Sequence, residues 1–233
     1  MSTKLPKALI KELDELMRQL MRGNADERGT AMTRLLAFEQ AGKISLGLLT
    51  EMAENSNPTA AMYAIGALGR NGHSDAVKQL LALASRHREG NPLLLETVVD
   101  ALGETGSKAA TPVLLGLIGT GGSWKNRLMG KISRRKESSG ANEERFRAYM
   151  LLPVMRAIEK IGDPKAAEAI GDFLEHKDPL VRCHAIRTFM NSGVASRSQT
   201  LQKLADSDPI DIVKELAAIA VSKLSPLPKH LNN

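Results

Sequence analysis

Aromatic side chains are nearly missing from this sequence: four Phe, two Tyr and one Trp make up 3% of its 233 residues. Strands favour aromatic and β-branched residues, so the shortage argues against most sandwiches and barrels. It argues equally against modules that stack nucleic-acid bases on aromatic platforms. The core must be assembled from Leu, Ile, Val, Ala and Met. Cysteine is reduced to one, Cys183, which excludes an intrachain disulfide framework and fits a reducing compartment. Long apolar runs are absent too. The opening MSTKLPKALIKELDELMRQL breaks its apolar residues with charge every few positions, unlike a secretory signal. No window approaches the roughly 18 apolar residues of a membrane span. The expectation is a cytoplasmic protein.

What is present is charge, unevenly placed. The formal net charge is +6. Between Gly121 and Arg147 eight basic residues stand against three acids, while the rest of the chain holds 24 basic and 23 acidic residues. The basicity belongs to one segment.

A pattern recurs along the chain. NPTAAMYAIGALGRNG runs from Asn57 to Gly72, NPLLLETVVDALGETG from Asn91 to Gly106, and DPLVRCHAIRTFMNSG from Asp178 to Gly193, all of the same length. The interval from Asn57 to Asn91 sets the period, and a further start, Asp208-Pro209, follows Asp178-Pro179 at nearly that interval. Asn or Asp caps the orphan N–H groups of a first turn, proline is tolerated next to it, and glycine supplies the left-handed stop. Ala and Leu recur at spacings of three and four, as an amphipathic helix requires. Second helical runs follow over His73–Arg88, Ser107–Ile118, Pro164–His176 and Val194–Ala205. A fifth copy, Arg147 to Gly162, carries Pro153 inside its helix, which predicts a kink. A weaker first copy spans Asn24 to Gly42 and continues over Lys43–Asn55. Asp178 and Asp208 read as N-caps.

DPLVRCHAIRTFMNSG resembles the HEAT-repeat consensus of the bacterial, PBS-lyase-like type, through Asp178, Pro179, Val181, Arg182, Ala185, Ile186 and Gly193. The copies at Asn57 and Asn91 lack the Val-Arg pair. The resemblance covers roughly residues 24–224 in about six copies. It implies an all-α fold, a right-handed α-α superhelix (a HEAT-like α-solenoid) of about six helical hairpins. It also implies that Arg182 ties neighbouring repeats together through an acidic partner. HEAT repeats serve mainly as scaffolds, so the resemblance speaks to fold before function. The expected organisation is one solenoid domain over 1–233. Within it lie an N-terminal capping helix over 3–22, a flexible basic insertion over 119–146 and a C-terminal tail over 225–233. The insertion is inferred because Gly106 and Gly162 stand well over one period apart where a single period is expected.

Catalytic signatures are weak. Cys183 and His184 are neighbours, but adjacent helical side chains diverge and do not face each other. One should fill the core and the other a half-exposed position. The five histidines show no HxxxH or HExxH spacing, so no zinc site is expected. Gly119-Thr120-Gly121-Gly122 lacks the phosphate-loop frame and reads as a hinge. Nothing supports chromophore attachment. No cofactor, metal or catalytic residue is expected.

The insertion is the candidate site. In SWKNRLMGKISRRK, Trp124, Leu128 and Ile132 would share one helical stripe, with Arg127, Lys131 and Arg134 beside it. Such basic amphipathic segments bind anionic surfaces or acidic partner helices. Gly130 would cost that helix about 1 kcal/mol, so the segment would order on binding. The candidate partner-binding residues are Trp124, Lys125, Arg127, Lys131, Arg134, Arg135 and Lys136; a solvated loop without a ligand is the alternative. The expected function is a non-enzymatic protein-interaction scaffold or adaptor. Its second helices would line a concave face, and its insertion would contact an acidic protein or an anionic membrane surface. The alternatives are a peripheral membrane adaptor or a HEAT-like nucleic-acid binder. The last is disfavoured by the +1 charge outside the insertion, too little for a phosphate track.

Overall fold

The computed structural model describes residues 7–42, 44–54, 58–88, 90–119 and 140–225. Every regular element among them is helical, the all-α class expected from the repeated apolar spacing. The chain divides into two compact units, Met1–Ala101 and Leu102–Asn233.

The first unit contains α1 (Lys7–Arg22), α2 (Ala25–Gln40), α3 (Leu46–Ala53), α4 (Pro58–Asn71), α5 (Ser74–His87) and most of α6 (Pro92–Glu104). Local chemistry sets the starts. Asn24 Oδ1 accepts the Glu27 N–H at 3.0 Å while Glu27 Oε2 accepts the Asn24 N–H at 2.8 Å, a reciprocal capping box. Asn91 Oδ1 takes the Leu93 N–H at 3.0 Å. Helix α1 packs on α2, α3 on α4, and α4 on α5, burying Leu16, Leu20, Leu35, Ile65, Leu68 and Leu80. Each such side chain contributes roughly 1.5–3 kcal/mol. Ala60, Ala61, Ala64 and Ala67 of α4 are fully buried, so helices meet through small residues where rings would not fit. At Gly69 the helices approach closely: a Cβ there would lie 2.9 Å from the Ala101 Cα and carbonyl oxygen. Tyr63 is the buried ring of this unit. Burial, then the Glu39 carboxylate, pushes its hydroxyl above the ordinary tyrosine range.

The second unit continues from the end of α6 through a 3₁₀ turn (Lys108–Ala110), α7 (Thr111–Leu117) and α8 (Gly140–Ile161). Then come α9 (Pro164–Ala169), a second 3₁₀ turn (Gly171–Glu175), α10 (Pro179–Ser192), α11 (Ser198–Ser207) and α12 (Asp211–Leu224). Helix α7 packs on α8, α8 on α10, and both α10 and α11 on α12. Met150, Met155, Ile158, Ile186 and Phe189 are fully buried between them. The closing glycine works as the pattern requires: Gly193 caps α10 with φ 70°, a left-handed conformation that other residues adopt at a cost. Gly162 ends α8 in the same way, with φ 61°.

Three boundaries differ from the sequence reading. Helix α8 starts at Gly140, so residues 140–146, assigned to the insertion, are its first turns. The run expected over Pro164–His176 breaks at Ile170. The Arg197 guanidinium, bonded to Asp172 at 3.2 Å, occupies the space where a Cβ on Gly171 would stand, and glycine favours helix poorly. Asp208 is not the N-cap of α12, which begins after Ile210. The Asp208 carboxylate accepts the Ile210 N–H at 2.9 Å, within the turn that leads into the helix. Asp178 does cap α10, accepting the Leu180 N–H at 2.9 Å.

Candidate partner-binding site

Trp124, Lys125, Arg127, Lys131, Arg134, Arg135 and Lys136 lie outside the described residues. The remaining sequence candidates have structural partners. Cys183 is buried, and burial raises its thiol above the ordinary range, the reverse of what a nucleophile needs. His184, beside it on α10, is half-buried and turns its Nδ1 to Glu159 Oε2 of α8 at 2.6 Å. Among the described residues no group of His, Cys, Asp and Glu is placed to hold a metal ion. No described helix is long and apolar enough to cross a membrane.

Arg182 fulfils the role its resemblance implied. Its NH2 group donates to Asp208 Oδ1 at 2.8 Å, and the two side chains are only 8% and 3% exposed. Its NH1 group donates to the His176 and Lys177 carbonyl oxygens at 2.8 and 3.2 Å. One guanidinium thus joins α10, the turn before it and the entry to α12. The sequence reading missed a second buried tie. Thr111 Oγ1 donates to Asp163 Oδ2 at 2.7 Å, and Asp163 Oδ1 accepts the Lys165 N–H at 3.1 Å. The Asp163-Pro164 pair, a repeat of the Asp-Pro signal at the head of a second helix, was the available clue. These two tied residues floor a depression of about 510 Å³ flanked by Lys108 and Lys165. Both carboxylate oxygens of Asp163 are occupied, so that acid serves structure.

One edge of the second unit combines apolar depth with a rim of mixed charge. Ile118, Leu151, Leu152, Phe173 and Val181 wall a groove of about 410 Å³ between the end of α7, α8 and the head of α10. Arg147, His176 and Lys177 stand on its rim with Glu144 and Asp178. The Arg147 guanidinium lies against Gly119, within about 3.0 Å of where a Cβ would sit. Asp178 is engaged at the α10 cap. His176 forms an edge contact with Phe173, ring centroids 5.9 Å apart, and its Nδ1 accepts the Asp178 N–H at 3.1 Å. His176 and Lys177 also border a second groove of about 300 Å³, continued by Arg182, Thr200, Lys203 and Ser207. The two grooves share this pair of residues. The surface offers apolar anchors among side chains of both charges, and its described residues hold no nucleophile paired with a base.

A profile of HEAT repeats matches residues 46–128 and 144–222. No curated protein matches the chain. Among solved structures, the crystal structure of an engineered protein is similar, with 15% identity and a TM-score of 0.47, covering 91% of this chain and 96% of that one.

Proposed function

Because the chain belongs to the HEAT-repeat family, whose repeats are interaction scaffolds, we propose that it is a non-enzymatic adaptor that holds another protein by an acidic surface. The observation that carries this reading is the apolar groove rimmed by Arg147 and Lys177. It stands directly before and after the basic stretch of sequence: Ile118 and Glu144 both line it. The six cations Lys125, Arg127, Lys131, Arg134, Arg135 and Lys136 would draw an acidic partner to this edge, and Trp124 would add an apolar contact. The rim itself balances Arg147 and Lys177 against Glu144 and Asp178, so the preference for an acidic partner rests on the basic stretch, whose charge would set on-rate and salt dependence more than raw affinity. The cytoplasm is the compartment we propose, consistent with the buried free thiol.

The test replaces Lys125, Arg127, Lys131, Arg134, Arg135 and Lys136 with Ala together and measures binding of a labelled poly-glutamate peptide at low salt. The unaltered chain should bind at least about tenfold more tightly than the variant, a difference of about 1.4 kcal/mol from six modest charge contacts. Equal affinity would overturn the reading. So would binding only to phosphatidylserine vesicles, which indicates a membrane adaptor, or only to duplex DNA.

A further inference from the structure

The depressions of the described surface differ in the charge that lines them. The groove between α7, α8 and α10 sets Glu144 and Asp178 against Arg147 and Lys177. Its neighbour beside α11 holds Glu175 and Asp208 among its cations. A third, on α2, carries both Asp26 and Arg34. The depression of about 510 Å³ over Thr111 and Asp163 is different: both of its exposed charges are cations, Lys108 and Lys165.

Its acid, Asp163, is 5% exposed. One carboxylate oxygen accepts the Thr111 hydroxyl at 2.7 Å and the other the Lys165 N–H at 3.1 Å. A hydroxyl and a backbone amide hold this carboxylate, so neither lysine side chain is committed to it. Lys108 and Lys165 enter no ion pair among the described residues. Glu104, the acid nearest Lys108 in sequence, is taken by Lys160. Glu168, one turn on from Lys165, does not line the depression. Two lysines over one buried carboxylate leave one positive charge in excess. The walls are Pro112, Leu115 and Pro164; they present no polar side chain, and the prolines have no N–H. The volume falls within the about 300–1,000 Å³ of sites that take small organic ligands, which combine apolar walls with a few placed polar groups.

We propose that this depression binds a small organic monoanion, an apolar body carrying one carboxylate. The body covers Leu115 and the two prolines, and the carboxylate meets the Lys108 and Lys165 ammonium groups. One negative charge brings the site to neutrality. The site uses no residue of the basic stretch, so it and the scaffold reading can fail separately. The test follows the fluorine NMR signal of 4-fluorophenylacetate as the full chain is added. Exposed charge contacts are weak, and a ligand of about eleven heavy atoms reaches a Kd on the order of 1 mM. Lys108→Gln and Lys165→Gln should each weaken binding about threefold, and the double variant about tenfold. The neutral isostere 4-fluorophenylacetamide should bind about tenfold more weakly than the carboxylate. Lys177→Gln, in the grooves of mixed charge, should leave affinity within about twofold. All three lysines are exposed, and unchanged thermal unfolding by circular dichroism confirms that each variant folds. An amide that binds as tightly as the carboxylate, or a double variant that binds like the parent, would overturn the site. So would Lys177→Gln as damaging as Lys165→Gln, or no binding of the carboxylate at about 10 mM.

Discussion

Arg182→Met should destabilise the second unit by about 3–5 kcal/mol, the cost of stranding one partner of a buried ion pair. The remaining Asp208 carboxylate, 3% exposed, keeps only the Ile210 N–H at 2.9 Å. The His176 and Lys177 carbonyl oxygens lose their guanidinium donor as well. Asp208→Leu alone should cost a similar amount, because a buried guanidinium is then left without its counter-charge. The double variant Arg182→Met/Asp208→Leu removes both charges. It should recover most of the loss, since a buried pair is often replaceable by apolar residues of like volume. Urea unfolding of the four proteins closes the cycle. Added salt should change the coupling little, because the pair is shielded from solvent. Single variants that unfold like the parent would show that the pair contributes nothing to joining the repeats.

Gly103→Val should lower stability by about 3 kcal/mol, at or beyond the upper end of ordinary overpacking costs. A Cβ on Gly103 would stand 2.8 Å from the Ala157 Cα and 3.0 Å from its Cβ. Backbone cannot rotate out of the way, so α6 and α8 must separate within the second unit. Gly69, one repeat earlier in the sequence, meets Ala101 in the same manner within the first. The same substitution at Gly29, where nothing lies within 4 Å, should cost no more than a few tenths of a kcal/mol, since valine favours helix slightly better than glycine. A fall in Tm at Gly103 with none at Gly29 supports close helix contact; equal effects would contradict it.

These glycines explain why the fold was readable and where reading stopped. Asn91, Asp178, Gly162 and Gly193 act through local geometry, and local geometry is written in adjacent residues. The role of Arg182 came from the resemblance to the HEAT consensus, which implied an acidic partner without naming Asp208. The scarcity of aromatic rings follows from the Gly–Ala crossings, which leave no room for them. The break at Ile170 has no proline beside it to announce it; Gly171, against which the Arg197 guanidinium packs, is a weak helix former at that point. The start of α8 at Gly140 was hidden because residues 140–146 were counted with the basic insertion, and Ser138, Ser139 and Gly140 are residue types common in loops. Asp208 misled for a related reason: its carboxylate looks like a cap locally, yet Arg182, a full repeat away in sequence, helps hold it in place. The apolar groove was not legible in the sequence, because Ile118, Leu151, Phe173 and Val181 come from separate segments and meet only through packing.

The basic stretch drew attention in the sequence through its charge, and the described residues place an apolar groove at both of its flanks. The most direct measurement of a partner-binding edge is hydrogen exchange of the full chain, with and without saturating poly-glutamate peptide. Backbone amides over residues 144–152 and 173–181, which line the groove, should exchange more slowly in the complex, while those of α1 to α5 stay unchanged. Protection confined to α1 to α5, or none at saturation, would contradict the account.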